Sequence, residues 1–158
     1  MGKRFAEVIP GLKVSEELQG FLDVMTVDRV TATKDRSKIR FFISAEHLIP
    51  KRTIYMLEAN IKKQVFPGYQ TEVRVQENYH LSAQYTPEKL MESYRDSILL
   101  ELKTYSLIEY NMFRRADWSF PEPQILSLMV DPDLVTRSRI DELKRILEKI
   151  FNERCGFG

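Results

Sequence analysis

The sequence predicts an α+β fold in two small subdomains, and three observations carry that expectation. Apolar residues recur at intervals of three and four in some stretches and at every second position in others, the signatures of helix and strand. The alternating stretches are short, rich in β-branched residues and bounded by turn composition. After Tyr79 the composition changes, dividing the chain into residues 1–80, read as α-β-β-α-β, and residues 81–158, read as α-α-β-β-α.

The first element is a short helix: Ser15-Glu16-Glu17-Leu18 has the form of a helix entry, and Leu18, Phe21 and Leu22 keep helical spacing to about Val24. Val27 to Thr33 and Lys38 to Ser44 form a hairpin about Lys34-Asp35-Arg36-Ser37, a turn without glycine. In its second strand Ile39, Phe41 and Ile43 point inward, while Lys38, Arg40 and Ser44 face water with Phe42 among them. Pro50 falls in the first turn of a helix whose stripe is Ile54, Leu57, Ile61 and Val65, stopping at Pro67-Gly68. Thr71 to Glu77 returns to alternation, with Val73 and Val75 inward and Glu72, Arg74 and Gln76 outward.

In the second half Thr86 caps, Pro87 starts and Glu88 favours a helix running to about Tyr105, with Leu90, Tyr94, Ile98, Leu102 and Tyr105 as its seam. Leu107 to Arg115 either continues it or forms a second helix; the weak helix formers Thr104-Tyr105-Ser106 favour a break. Strands follow around Trp118 and Leu128, joined by a turn bracketed by Pro121 and Pro123, and the run Ile125 to Val130 reads as buried. The last helix carries Ile140, Leu143, Leu147 and Ile150, with an Asp141–Arg145 pair on its surface and Gly156 as its stop. A helix closing on Cys-Gly-Phe-Gly usually feeds a further strand, so the sequence is expected to be a piece of a longer chain.

Composition excludes several functions. Twenty-four Lys+Arg against 23 Asp+Glu leave a charge of +1, unlike a dedicated nucleic-acid coat or an acidic tail. One cysteine, Cys155, and two histidines, His47 and His80, allow neither an internal disulfide nor a cysteine-rich zinc site, so a reduced, cytoplasmic protein without metal or cofactor is expected. No apolar run approaches the roughly 18 residues of a membrane span, and no signal peptide or internal repeat is visible. The sequence also lacks a glycine-rich phosphate loop, His-Glu-x-x-His and Gly-x-Ser-x-Gly. Asp131 and Asp133 read as a turn with a helix cap rather than a Mg²⁺ site. Ser44 beside His47 has no orienting acid, and Cys155 reads as packing. No catalytic or metal-binding residue is therefore assigned.

Two surfaces stand out. Residues 1–79 hold 13 Lys/Arg against 10 Asp/Glu, whereas residues 80–158 hold 11 against 13. In the basic half, Lys34, Arg36, Lys38 and Arg40 line one hairpin with Phe42, either a contact surface for single-stranded nucleic acid or an ordinary solvated face. Aromatics gather in the second half, mostly as core. There Tyr110 and Phe113, beside Arg114 and Arg115, are candidate anchors for a partner protein.

Residues 81–116, LSAQYTPEKLMESYRDSILLELKTYSLIEYNMFRRA, and residues 145–157, RILEKIFNERCGF, resemble the extreme N-terminus of PolC-type DNA polymerase III alpha subunits, the replicative polymerases of low-GC Gram-positive bacteria. Residues 33–40, TKDRSKIR, residues 47–51, HLIPK, and Ile54-Tyr55 resemble that family's first domain, so the likeness spans nearly the whole chain and is densest over 81–115. The resemblance implies a first domain (1–80) like the polymerase-binding domain of the clamp-loader tau subunit. It implies a second (81–158) with a KH-like fold lacking its last strand. The full-length enzyme would be a DNA-directed DNA polymerase with 3'-5' exonuclease, and this piece a non-catalytic module that docks replisome proteins such as tau. The alternative is a module guiding single-stranded DNA. KH domains grip nucleic acid through a Gly-x-x-Gly loop, and the corresponding stretch, Asp131 to Ile140, contains no glycine. A missing last strand would also leave an open sheet edge, through which the chain could dimerise.

Overall fold

The computed structural model describes residues 2–130 and 137–157, and the chain divides into two compact units, Met1–His80 and Leu81–Gly158. In the first unit a one-turn helix α1 (Phe5–Val8), which the sequence pattern does not announce, precedes α2 (Glu16–Leu22). The Ser15 hydroxyl accepts from the Leu18 N–H and caps α2, and Leu18 and Leu22 are buried. β1 (Thr26–Ala32) and β2 (Lys38–Ala45) pair antiparallel, and β3 (Glu72–Tyr79) lies parallel to β2, giving the order β1-β2-β3.

The hairpin closes without glycine because Asp35 acts as a hub. Its Oδ1 accepts from the Thr33 hydroxyl at 2.7 Å, the Ser37 N–H at 3.0 Å and the Ser37 hydroxyl at 2.8 Å, which together hold its carboxyl at about 2. Arg36 takes the left-handed conformation, φ 58°, that such a turn demands of one residue.

α3 (Lys51–Val65), with Pro50 as its N-cap rather than inside its first turn, crosses from β2 to β3 and buries Ile54, Leu57 and Ile61 completely. Each such side chain contributes about 1.5–3 kcal/mol on leaving water. Ile39, Phe41, Ile43, Val73 and Val75 face the same core, and Phe5 packs on Phe41 with ring centroids 5.9 Å apart. Val65, expected as the last residue of the buried stripe, is exposed at the last position of α3, just before Pro67-Gly68.

The same inward row of β3 continues past Val75 to Glu77 and Tyr79, both buried. Glu77 is held by the Lys51 ammonium at 3.0 and 3.2 Å, and the Tyr79 hydroxyl donates to the Ile49 carbonyl at 3.2 Å. Glu58 Oε2 accepts the Val75 N–H at 2.8 Å, satisfying a donor of the edge strand β3. Burial raises the Glu58 carboxyl above its ordinary value, against the opposing pull of that N–H and of Lys51 and Arg74.

In the second unit α4 (Pro87–Tyr105) starts as its sequence requires, with the Thr86 hydroxyl accepting from the Lys89 N–H and Pro87 in the first turn. Leu90, Met91, Tyr94, Ile98 and Leu102 are buried. Ser106 is extended, φ −161° and ψ 122°, and breaks the helix before α5 (Leu107–Arg115). β4 (Asp117–Glu122) and β5 (Ile125–Met129) pair antiparallel about Pro123-Gln124, so Pro121 lies within β4 rather than in the turn. α6 (Arg137–Glu148) leads directly into a π-helical turn, Lys149–Arg154, and Gly156, φ 79°, ends it. Arg154 closes a two-pronged pair with Glu101 at 2.9 and 3.1 Å.

Four expectations are corrected here. Tyr105 leaves the α4 seam for solvent because its hydroxyl donates to Glu142. Ile140 is exposed while Leu143, Leu147 and Ile150 are buried. Arg145 is engaged by Glu142 at 2.6 Å rather than by Asp141. β5 is half-exposed instead of buried, because its Leu126 and Leu128 line an open groove of about 680 Å³ with Leu143, Leu147 and Phe151. Asp131 and Asp133 lie outside the described residues, as does most of the glycine-free stretch 131–140, whose last four residues open α6. Among the described residues no helix is long and apolar enough to cross a membrane.

Two measurements probe the first unit. Lys51→Met removes the ammonium that pairs with the buried Glu77 carboxylate and is expected to cost about 3–5 kcal/mol in urea unfolding, whereas Lys51→Met with Glu77→Leu recovers most of the loss. Glu58 has a folded pKa raised above 4.5, so its contribution is fully present below the unfolded value and is lost as pH rises through the folded one. Glu58→Gln is therefore expected to gain stability over the native chain from about pH 4.5 upward, with a flat difference below, in unfolding curves at stepped pH.

Candidate interaction surfaces

The sheet of the first unit covers its core with one face and leaves the other open. On the open face β2 presents Lys38 and Arg40, both exposed, and a half-buried Phe42, while Lys34 and Arg36 stand exposed at the hairpin turn. Register brings two further cations that sequence reading missed. Arg29 pairs opposite Phe42 and sets its guanidinium 4.0 Å from the ring centroid; Arg40 lies 5.9 Å from the same ring. Arg74 stands beside Arg40 on β3. Strict alternation puts Arg29 on the same face as the buried Val27, and only the bulge between Val27 and Arg29 brings it opposite Phe42.

This face is less positive than its cations imply. Arg74 contacts Glu72 through two nitrogens at 2.5 and 2.7 Å, and Lys38 approaches the same carboxylate at 3.9 Å. The hydrogen bond from Arg74 is the main reason that the Glu72 carboxyl lies below its ordinary value. Asp35 sits between Lys34 and Arg36 in the turn, and Asp28 accepts the Ser44 hydroxyl at 3.1 Å. Arg29 over its ring makes Phe42 a poorer stacking platform than an open aromatic would be.

In the second unit the four candidate residues separate. Phe113 is 1% exposed, with Arg95 at 5.8 Å from its ring, so it packs the core and offers a partner no surface. Tyr110 is half-buried with the Lys103 and Arg114 charges each 5.9 Å from its ring. Arg114 and Arg115 are exposed in the last turn of α5, where they also suit the helix dipole. Sequence reading missed the neighbouring elbow between α4 and α5. There Tyr105 is 60%, Leu107 61% and Ile108 46% exposed, because the break at Ser106 turns α5 so that Glu109, Met112 and Phe113 face inward.

The elbow is pinned at two points. Glu109 is fully buried and bonded by Arg139 at 3.2 Å. Desolvation raises its carboxyl, but the Ser106 hydroxyl, its own backbone N–H and Arg139 outweigh that and bring it below the ordinary value. The Tyr105 hydroxyl donates to Glu142 at 2.7 Å, and Arg145 completes the cluster. Arg145 first and Tyr105 second hold the Glu142 carboxyl at about 2, while the same contact raises the Tyr105 hydroxyl.

Among the described residues no cluster of His, Cys, Asp or Glu could hold a metal ion, and Cys155 is buried. The exposed chemistry is that of an α+β protein whose charged and aromatic side chains gather on open faces. Residues 4–75 match the family described as DNA polymerase III polC-type N-terminus I. The match covers a little under half of the chain and lies within the first unit, outside the run 81–116 where the resemblance was densest. No curated protein and no solved structure matches.

A carboxyl depressed by two partners returns stepwise when they are removed. Arg145→Gln is expected to move the Glu142 midpoint from about 2 most of the way to 4.5, and Tyr105→Phe to move it by less, as read from side-chain carboxyl shifts in an NMR titration.

Proposed function

We propose that this chain is a non-catalytic interaction module at the N-terminal end of a polC-type polymerase, docking a replisome protein, with the clamp-loader tau subunit as partner. In this reading the first unit is the domain resembling the polymerase-binding domain of tau and the second is KH-like. The family match to residues 4–75 supports the setting in replication. The observation that carries the docking role is the elbow, where Tyr105, Leu107 and Ile108 are exposed beside Tyr110, Arg114 and Arg115. Tyrosine and arginine are enriched at interface hot spots, and apolar neighbours exclude water around them.

A second reading, a module guiding single-stranded DNA, is favoured by Arg29 and Arg40 around Phe42 with Lys34, Arg36 and Lys38 nearby. It is weakened by Glu72 and Asp35, which neutralise part of the face.

Fluorescence anisotropy separates the two. With purified tau added to the chain, docking gives a saturable complex, while labelled single-stranded DNA shows no binding near ~1 μM at either of two salt concentrations. Tight DNA binding that collapses with salt and with Arg29→Glu plus Arg40→Glu, and no tau complex, would establish strand guiding instead.

A further inference from the structure

We propose that the elbow between α4 and α5 is the docking site itself, and that its occupant is an apolar segment of a partner protein flanked by carboxylates. The inference rests on the docking reading and adds the surface and the chemistry of what it binds.

A single exposed leucine on a protein surface is ordinary, whereas Tyr105, Leu107 and Ile108, all large and all near half-exposed or more, fall within four consecutive positions. Folding does not require them. The inward face of α5 is supplied by Glu109, Met112 and Phe113, with Ala116 buried just beyond, so polar residues at 107 and 108 would serve the helix equally well. Nor is the elbow a loose joint, since Glu109 is clamped from Arg139 and the Tyr105 hydroxyl is held on Glu142. A surface fixed before binding loses less conformational entropy when a partner arrives.

Charge selects the occupant. The carboxylates around the elbow are already engaged: Glu101 by Arg154, Glu109 by Arg139 and Glu142 by Arg145. The cations are not: among the described residues Lys103, Arg114 and Arg115 face no carboxylate, and two of them flank the Tyr110 ring. The elbow is thus an apolar patch with an unneutralised positive margin. A partner segment that inserts leucine-like side chains at 107 and 108 and carries acids outside them satisfies both features. A nucleic-acid strand would satisfy only the margin, because Leu107 and Ile108 offer it neither a hydrogen bond nor an aromatic face.

The test uses the whole chain and two labelled synthetic peptides, one of leucines flanked by glutamates and the other with lysine in place of each glutamate, followed by anisotropy. The acidic peptide is expected to bind and to weaken with salt. Leu107→Ser with Ile108→Ser is expected to weaken it about tenfold or more. Arg114→Glu with Arg115→Glu is expected to transfer the preference to the lysine peptide. All four positions are exposed, and a circular-dichroism melt confirms that each variant folds. Failure of the acidic peptide to bind, equal binding of both peptides, or indifference to both double variants overturns the proposal. A tau complex that forms and ignores Leu107→Ser with Ile108→Ser leaves docking standing and removes the elbow. Peptide binding at the elbow without a tau complex removes tau and keeps the elbow.

Discussion

A carboxylate placed out of reach of water is the constraint on which each unit depends. In the first, Glu77 occupies an inward position of β3, where an apolar side chain would ordinarily stand, and Lys51 reaches it from the first turn of α3. That pair ties the start of the crossover helix to the strand it feeds, since sliding either by one residue would part the two buried charges. In the second unit Glu109 has the same role. Buried at the inward face of α5 and bonded by Arg139, it ties α5 to α6 and sets the angle at which the chain leaves Ser106. Apolar burial supplies most of the stability in both units, but the ionic contacts select one arrangement among several that would bury similar area.

Most elements were legible in the sequence because their signals are local. Ser15 and Thr86 cap where their spacing places them, Ile54, Leu57 and Ile61 form a stripe of one period, and the weak helix formers before Leu107 break the chain at Ser106. What was not legible depended on phase and register. The seam of α4, continued past Leu102, places Tyr105 in the core, but its hydroxyl reaches Glu142 instead, and the break at Ser106 then resets the helical phase for α5. Leu107 and Ile108 therefore turn to solvent and Phe113 turns inward. Arg29 could be matched with Phe42 only once the bulge after Val27 had fixed the pairing of β1 with β2. Glu77 read as the polar end of a strand because nothing in its neighbourhood announced a lysine 26 positions earlier as its partner.

Net charge is a poor guide to either surface, because pairing decides which charges a partner meets. On the sheet face Glu72 takes Arg74 and approaches Lys38, and Asp35 is locked into the turn as an ionised carboxylate, so the basic row is partly cancelled where it is densest. The half with the acidic balance behaves the other way. Its carboxylates near the elbow are engaged by Arg154, Arg139 and Arg145, which leaves Lys103, Arg114 and Arg115 as the charges presented to solvent. A chain of charge +1 thus carries a nominally basic face that is muted and a nominally acidic half with a positive margin.

That inversion bears on which reading of the module is physically economical. Affinity for a phosphodiester strand grows with the number of cations free to displace counterions, and on the sheet face Glu72 engages Arg74 and approaches Lys38. Affinity for a protein surface grows instead with apolar side chains that can be fully desolvated inside a polar rim, and a few of these suffice. Leu107 and Ile108 are apolar side chains that the fold leaves uncovered, held in a fixed orientation by Glu109 and by the Tyr105–Glu142 contact. The groove beside β5 is lined by Leu126, Leu128, Leu143 and Leu147, and the charges of its described lining, Lys144 and Glu148, approach each other at 3.9 Å. Specificity needs both terms, and the elbow supplies them between Lys103, just before Ser106, and Arg114 and Arg115 in the last turn of α5.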